Sequence, residues 1–306
     1  MTYLLPYTPA EIHGLPDTFE AAHWDGATAP PPQSVLDEVE FFAVPYLRTR
    51  AAVPLLPRMP SLRVVQTLTA GVDDLLPHLP AGVTACNARG LHDASTAELA
   101  VALMLASLRN IPDFVRRQDA ADWRFGFTSA LADRSVLIVG YGSIGEALEA
   151  RLRPFECDIV RVARSARSAP LGPVHALEEL PELLPAADVV VLLVPLTEQS
   201  RGLVGAEFLG RMKDGALLVN VARGPVVDTK ALLAELESGR LRAAMDVTDP
   251  EPLPAGHPLW QAPGVLITPH VGGASSAFLP RALRLLRSQL LLDLGGSPLA
   301  NVVAVG

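Results

Sequence analysis

SVLIVGYGSIGEALEARL (Ser135–Leu152) joins an apolar strand to a helix through three glycines. Gly140 permits a tight turn, Gly142 lets a phosphate approach the backbone, and Gly145 lets the helix pack closely on the strand. The N–H groups at the helix N-terminus then attract phosphate. The stretch predicts a dinucleotide-binding Rossmann unit, and the alternative is a purely structural turn. The predicted contacts are Gly140, Gly142, Ser143, Ile144 and Gly145.

The strand after this unit ends in basic residues. Asp158–Ala163 is followed by Arg164-Ser-Ala-Arg167, where an acidic residue would bind a ribose hydroxyl and indicate NAD. Guanidinium groups suit a 2′-phosphate, because they form bidentate charge-assisted hydrogen bonds. Arg164, Ser165 and Arg167 therefore favour NADP (NADPH), with NAD as the second choice. The alternative is that these arginines are only solvated.

Strand and helix patterns alternate on both sides of the glycine turn, which is typical of parallel sheets covered on both faces. We predict an α/β fold with two doubly wound parallel-sheet domains. A Rossmann nucleotide domain, residues 95–273, is inserted into a flavodoxin-like substrate domain, residues 1–94 plus 274–306. The predicted strands are Tyr3–Tyr7, Thr18–Trp24, Val39–Tyr46, Arg63–Thr69, Val83–Asn87, Ser135–Val139, Asp158–Ala163, Val189–Val194, Ala216–Val221, Ala243–Val247 and Val265–Thr268.

A long helix is predicted from about Asp93 to Arg109, with Ser95 and Glu98 as a capping box. Its body, Leu99–Leu108, is apolar on nearly every face, so it must be covered all round. It is either a central helix or part of a subunit interface, and we predict a homodimer. Trp123, on the aromatic connector that follows, is placed to reach the partner subunit.

Composition excludes several classes of protein. The net charge of −8 gives no basic field for nucleic acid or an anionic membrane. No apolar run reaches the ~18 residues of a spanning helix, and no signal peptide is recognisable. Cys86 and Cys157 lack metal-ligand spacing. We expect a cytoplasmic enzyme without a metal.

Three segments after strands carry the most specific motifs. They are VNVARGPVVD at Val219–Asp228, MDVTDPEPLP at Met245–Pro254 and LITPHVGG at Leu266–Gly273. Together they resemble the D-isomer-specific 2-hydroxyacid dehydrogenases, which include glyoxylate/hydroxypyruvate reductases. The resemblance implies hydride transfer from NAD(P)H to a small 2-keto acid, giving the 2-hydroxy acid. In that reaction Arg223 binds the substrate carboxylate, His270 donates the proton, and Glu251 stabilises the protonated imidazole.

The resemblance extends from about Val65 to Gly273 and implies further contacts. It places the substrate on the backbone of Ala70 and Gly71, beside Arg223. It adds Thr96, Val194, Pro195, Val221, Ala222, Asp246, His270 and Gly272 to the cofactor site. Val194 and Thr248 depart from the residues common in the family, so the exact keto acid stays open. Two alternatives also stay open: a dinucleotide-sensing protein that resembles co-repressors, and a formate- or phosphite-type dehydrogenase.

Overall fold

The computed structural model describes residues 2–306, which form two compact units. Unit 1 consists of residues 2–92 together with Ser276–Gly306, and unit 2 is Asp93–Ser275. The sequence places the corresponding boundaries at 94/95 and 273/274. Met1, which the predicted first domain includes, lies outside the described residues.

The strands are short and the helices fall between them. The strands are β1 (Thr2–Leu5), β2 (Ala22–His23), β3 (Val39–Ala43), β4 (Val64–Gln66), β5 (Thr84–Cys86), β6 (Ser135–Val139), β7 (Asp158–Ala163), β8 (Arg167–Ala169), β9 (Gly172–Ala176), β10 (Val189–Leu192), β11 (Leu217–Asn220), β12 (Arg242–Met245), β13 (Val265–Ile267) and β14 (Val302–Val305). The α-helices are α1 (Gln33–Leu36), α2 (Thr49–Ala52), α3 (Asp93–Leu108), α4 (Ile111–Asp119), α5 (Ser143–Leu152), α6 (Leu180–Leu183), α7 (Ala206–Arg211), α8 (Thr229–Glu237) and α9 (Phe278–Leu294).

Unit 1 is built on a six-stranded sheet in the order β14-β5-β4-β3-β1-β2. Five strands are parallel, and β14 pairs antiparallel with β5. The tail after α9 therefore closes one edge of this sheet. Gln289 of α9 is fully buried and fixes the tail, since its amide group bonds both backbone groups of Ala300.

Unit 2 contains an eight-stranded sheet in the order β13-β12-β11-β10-β6-β7-β9-β8. All pairs are parallel except β8 with β9. The sheet core is apolar on both faces: Val136 and Ile138 of β6 join one hydrophobic cluster, and Leu137 and Val139 join the other. This double burial explains the unbroken apolar run in the sequence. The two units confirm the predicted α/β fold class.

Strand β6 lies between β10 and β7. Strands β7 to β9 therefore extend the sheet on one side of β6, and strands β10 to β13 extend it on the other side. In doubly wound folds, ligands bind at such a switch point, outside the carboxyl ends of the strands. The glycine turn follows β6 directly, at this edge. No helix among residues 2–306 is long and apolar enough to cross a membrane.

Three local details differ from the sequence-based expectations. The capping box at Ser95 and Glu98 is wrong, because α3 already begins at Asp93 and the Ser95 hydroxyl donates to Ser275 Oγ at 2.8 Å. Helix α4 and the β8–β9 hairpin were not expected. The hairpin starts at Arg167, which is itself the second of the two predicted phosphate-binding arginines.

Candidate active site

The glycine turn has a distinct geometry at each glycine. Gly140 has φ +107°, and a Cβ there would lie 2.5 Å from the backbone carbon of Leu193. A Cβ on Gly145 would lie 3.2 Å from the Gly140 carbonyl oxygen. Nothing lies within 4 Å of a Cβ on Gly142, so this position is open. Two glycines thus allow close packing and the third leaves space beside the N-terminus of α5, where Ser143 and Ile144 begin the helix.

A cavity of about 530 Å³ adjoins this turn within unit 2. Its wall contains the predicted residues Gly140, Gly142, Arg164, Val194 and Pro195. It also contains residues that the sequence analysis did not single out. These are Tyr141, Ala163, Leu177, Glu178, Leu193, Thr197, Gln199, Ser200 and Leu203.

The three predicted phosphate-binding residues after β7 have different surroundings. Arg164 is exposed and lines the cavity, and Ser165 is exposed beside it in the chain. Arg167 instead donates through Nη2 to the carbonyl oxygen of Tyr141 at 2.5 Å. Glu178 shares the cavity wall with Arg164, so this region is not uniformly basic.

The loop with Val194 and Pro195 is held by a serine that the sequence analysis missed. Ser200 Oγ donates to the Pro195 carbonyl at 2.6 Å and accepts from the Thr197 N–H at 2.8 Å. The signal for this turn is the presence of Thr197 and Ser200 close together, since Ser and Thr hydroxyls can hydrogen-bond nearby backbone groups in turns. The loop is therefore fixed within its own segment.

Arg223 stands three residues beyond β11, after Val221 and Ala222, which are buried. Asn220 shapes this turn: its side chain accepts from the Ala222 N–H at 3.0 Å and donates to the Arg223 carbonyl at 3.1 Å. A Cβ on Gly224 would lie 1.9 Å from the Thr248 carbonyl oxygen. The glycine after Arg223 therefore lets the β11 loop pack directly on the β12 loop.

Asp246 follows β12 and is almost completely buried. Its carboxylate accepts from the Thr268 hydroxyl at 2.6 Å and from the N–H groups of Val271 and Gly272 at 2.9 and 2.8 Å. Its carbonyl oxygen also accepts from the His270 N–H at 2.7 Å. Asp246 thus shapes the loop after β13, and both its carboxylate oxygens are used there.

Thr96 of α3 lies against the same loop. Its hydroxyl donates to the Gly272 carbonyl at 3.4 Å, and a Cβ on Gly272 would lie 3.0 Å from an Asp246 carboxylate oxygen. Glycine is therefore the residue that fits between Asp246 and Thr96. Ser143 makes a comparable link to α3, donating to Asp93 Oδ1 at 3.2 Å.

Glu251 and His270 are paired. Glu251 Oε1 lies 2.6 Å from His270 Nδ1, and each side chain is about two-fifths exposed. The hydrogen bond with His270 lowers the pKa of the Glu251 carboxyl, and the positive charge of Arg223 lowers it further. Within residues 2–306, His270 Nε2 has no hydrogen-bond partner, so this nitrogen is available to a ligand.

Arg223, Glu251 and His270 follow three neighbouring parallel strands, β11, β12 and β13. The carboxyl ends of parallel strands meet at one sheet edge, so the structure brings all three together in unit 2. No cluster of three or more His, Cys, Asp or Glu side chains that could hold a metal occurs in residues 2–306. The site thus offers acid–base and carboxylate-binding groups.

Ala70 and Gly71 belong to unit 1. Their carbonyl groups are engaged within that unit, Ala70 by the Asn87 amide at 2.8 Å and Gly71 by the Thr69 hydroxyl at 2.7 Å. Their N–H groups have no acceptor among the described residues. This backbone suits an anionic ligand, and its contact with substrate stays a prediction.

Residues 101–272 match the family model described as "D-isomer specific 2-hydroxyacid dehydrogenase, NAD binding domain". A glyoxylate/hydroxypyruvate reductase B from Escherichia fergusonii is 35% identical over 240 residues, covering 72% of this chain and 71% of that protein.

Two solved structures extend the similarity over nearly the whole chain. The D-isomer specific 2-hydroxyacid dehydrogenase from Xanthobacter autotrophicus Py2, in complex with NADPH and MES, superposes with a TM-score of 0.81 at 29% identity, covering 99% of this chain and 97% of that one. The NADPH-dependent glyoxylate/hydroxypyruvate reductase from Sinorhizobium meliloti, in complex with NADP and malonate, has a TM-score of 0.79 at 25% identity, covering 99% and 96%. This chain belongs to the D-isomer-specific 2-hydroxyacid dehydrogenase family and is an NAD(P)-binding oxidoreductase.

Proposed function

We propose that this chain is an NADPH-dependent reductase of small 2-keto acids of the glyoxylate and hydroxypyruvate type. The observation that carries the proposal is the 2.6 Å pair between Glu251 and His270, with Arg223 at the same sheet edge. The name of a relative, glyoxylate/hydroxypyruvate reductase B, and the malonate bound to a structural neighbour support this substrate class.

The residues around the glycine turn fit a dinucleotide. Gly142 leaves open space, and the first N–H groups of α5 have no partners within the helix. Together with the helix dipole they favour a pyrophosphate at this point. When bound, the reduced nicotinamide supplies the hydride for the substrate carbonyl carbon.

His270 is the proposed proton donor. Glu251 binds Nδ1, so the second ring nitrogen, Nε2, is the one that faces the ketone oxygen. Donating the Nε2 proton leaves a neutral imidazole whose Nδ1–H still bonds Glu251. The carboxylate therefore orients the ring and favours its charged form before the transfer.

Arg223 is the proposed substrate anchor. Its Nη1 donates to the Ala222 carbonyl at 2.7 Å, which holds the side chain close to its own turn. A guanidinium presents several N–H donors in one plane and binds a carboxylate in bidentate fashion. Binding through this group places the neighbouring ketone near His270. The contacts of Ala70 and Gly71 with the same carboxylate are part of this proposal by family resemblance.

The proposed preference for NADPH depends on Arg164, since this guanidinium lines the cavity. One hydrogen bond to a charged group contributes about 1.5–3 kcal/mol, or roughly ten- to hundredfold in discrimination. We expect kcat/KM for glyoxylate and hydroxypyruvate to be at least about tenfold higher with NADPH than with NADH. Steady-state rates with both cofactors over a keto-acid panel measure this.

Arg164→Asp is expected to reverse that preference, because the carboxylate repels a 2′-phosphate and accepts from a ribose hydroxyl. Arg50→Asp, at an exposed arginine of unit 1, serves as the control and keeps the NADPH preference. Equal kcat/KM for the two cofactors in the unmodified chain contradicts the assignment of Arg164. No turnover of any keto acid contradicts the proposed function itself.

Arg223→Lys tests the substrate anchor. A lysine keeps the charge but loses the planar fork, so kcat/KM for glyoxylate is expected to fall about 10- to 100-fold. Arg211→Lys, in the exposed pair with Glu207, is the matched control and leaves the rate unchanged. A rate near that of the unmodified enzyme would remove Arg223 from the substrate site.

Glu251→Gln tests the acid–base pair. The pKa of Glu251 is lowered by its bond to His270, so at neutral pH its negative charge stabilises the imidazolium. Glutamine removes that charge, so we expect the alkaline limb of the kcat/KM profile to move to lower pH. The control is Glu179→Gln, which removes the carboxylate from the second such pair, 2.7 Å from His175 Nδ1. An unshifted limb in Glu251→Gln argues that the pair has no catalytic part.

We also propose that the chain forms a homodimer through unit 2. On the connector after α4, Trp123 is 97% exposed and Phe127 is 96% exposed, with Phe125 nearby. Exposed apolar surface of this extent marks an interaction site. Its location beside α3 and α4, which present partly exposed apolar residues, favours a second copy as the occupant.

Light scattering at micromolar concentration is expected to give twice the chain mass, and the double substitution Trp123→Ser with Phe127→Ser is expected to give monomer. Leu47→Ser, the control, replaces another exposed apolar side chain, which is 65% exposed and belongs to unit 1, and should leave the dimer intact. A monomeric unmodified chain contradicts the proposed interface.

A further inference from the structure

A buried charged cluster lies directly behind the glycine turn. Glu149 of α5 is 1% exposed, Arg161 of β7 is 9% exposed, and Tyr141 of the turn is 3% exposed. None of the three belongs to the catalytic edge formed by Arg223, Glu251 and His270. With Arg167, which reaches the same turn, we call this cluster the Tyr141 clamp.

The side chain of Tyr141 is held by Glu149. Its hydroxyl donates to Glu149 Oε2 at 2.6 Å, and Arg161 Nε donates to the same oxygen at 2.6 Å. Arg161 Nη2 also bonds Glu149 Oε1, and the guanidinium carbon lies 5.8 Å from the centre of the Tyr141 ring. The carboxylate therefore bridges the arginine of a central strand and the tyrosine of the turn.

The backbone of Tyr141 is fixed as well. The N–H groups of Gly140 and Tyr141 both donate to the Val162 carbonyl at 2.9 Å. Arg167 donates to the Tyr141 carbonyl at 2.5 Å. The N–H, the carbonyl and the side chain of Tyr141 thus each have a partner, and the next residue is the open Gly142.

Stability alone does not explain this ion pair. Replacing a buried ion pair by apolar residues of similar volume is often neutral or stabilising, because desolvation offsets the attraction. Tyr141 itself belongs to an apolar cluster that includes Ile138 of β6 and Leu148 of α5. The buried Glu149–Arg161 pair is explained, however, if its function is to hold the Tyr141 hydroxyl in one position.

The ionisation of the cluster suits that task. Burial, and then the hydrogen bond to Glu149, raise the pKa of Tyr141 to about 12, so its hydroxyl stays a donor at neutral pH. Burial raises the pKa of Glu149, but its bonds with Arg161 and Tyr141 outweigh burial and lower it overall. Glu149 therefore stays an acceptor.

We propose that Glu149, Arg161 and Arg167 are positioning residues that hold the glycine turn, through Tyr141, in the conformation that receives the dinucleotide pyrophosphate. A preformed turn lowers the entropic cost of binding, so the clamp acts on cofactor affinity. The inference rests on the proposed placement of the cofactor at this turn. In this proposal the Tyr141 clamp contacts neither the substrate nor the reacting atoms.

The clamp gives Arg167 a role different from that of Arg164. The pyrophosphate is common to NADH and NADPH, so a residue that positions the turn affects both cofactors equally. A residue that binds the 2′-phosphate affects NADPH alone. Arg167→Ala is therefore expected to weaken both cofactors by a similar factor, whereas Arg164→Ala weakens only NADPH. A loss confined to NADPH in Arg167→Ala overturns the positioning role of this residue.

Tyr141→Phe is the sharpest test, because it removes one oxygen and keeps the ring. The dissociation constants of NADH and NADPH, measured by cofactor fluorescence, are expected to rise together by about tenfold, the equivalent of one hydrogen bond. Saturating both substrates should restore kcat to within about twofold. This split separates a positioning effect from a catalytic one.

Tyr3→Phe is the matched control. Tyr3 in unit 1 is also buried, and its hydroxyl donates to Asp293 Oδ2 at 3.0 Å. Both variants are expected to lower the melting temperature by a few degrees, but only Tyr141→Phe should change cofactor affinity. Unchanged affinity in Tyr141→Phe, or an equal loss in both variants, overturns the proposal.

A second variant addresses the ion pair without leaving a buried charge alone. The double substitution Glu149→Leu with Arg161→Met is expected to fold, and to weaken both cofactors as much as Tyr141→Phe does. Adding Tyr141→Phe to it should cause no further loss, since the hydroxyl already lacks its acceptor. If the losses of cofactor affinity are additive in this triple variant, the proposed coupling between the ion pair and the Tyr141 hydroxyl is overturned. If the unmodified chain binds neither cofactor, the proposed function fails instead.

Discussion

The buried carboxylate of Asp246 organises the edge of unit 2 at which the proposed catalytic residues lie. It accepts three hydrogen bonds from residues 268–272, and the carbonyl of the same residue accepts the N–H of His270. His270 has a φ of +53°, a left-handed conformation that costs a non-glycine residue energy unless its surroundings impose it. Asp246 supplies those surroundings, and the imidazole reaches Glu251 as a result. An acid that the sequence assigns to the cofactor is therefore first a structural residue of the histidine loop.

The other catalytic loops are joined by packing rather than by charge. Only glycine fits at position 224, because the Thr248 carbonyl occupies the space that a Cβ would need. This contact joins the Arg223 turn to the segment that carries Glu251. Three parallel strands bring their ends together, and close backbone contacts then fix the distances between the loops. The geometry of this edge thus depends on a small residue, Gly224, as well as on the three proposed catalytic side chains.

The sequence predicted β6 and β7 to the residue, because each is a continuous strand pattern beside an unmistakable turn. It also predicted that Arg223, Glu251 and His270 follow three strands of one sheet, because their motifs are local, and their catalytic roles stay a prediction. It failed where the partner is distant. Ser95 bonds Ser275, which lies 180 residues away, so the local capping pattern misled. Arg167, at the start of a hairpin that no period in the sequence indicated, bonds Tyr141, which lies 26 residues earlier in the chain. No local motif singles out Glu149, whose partner Arg161 lies 12 residues further along the chain, in β7.

Burial distinguishes the residue that we propose for cofactor choice, Arg164, from the residues Tyr141, Glu149 and Arg161 that we propose for cofactor affinity. Arg164 is exposed, and Glu178 lines the same cavity, so the attraction for a 2′-phosphate is partly opposed and is screened by salt. Within the Tyr141 clamp, Tyr141, Glu149 and Arg161 are buried, so salt screens their interactions little, whereas Arg167 is exposed. Rising ionic strength should therefore erode the discrimination between NADPH and NADH while the turn keeps its conformation. Because buried residues fix the glycine turn, an exposed residue of the cavity wall such as Arg164 can be replaced to change the cofactor preference without changing the conformation of the turn.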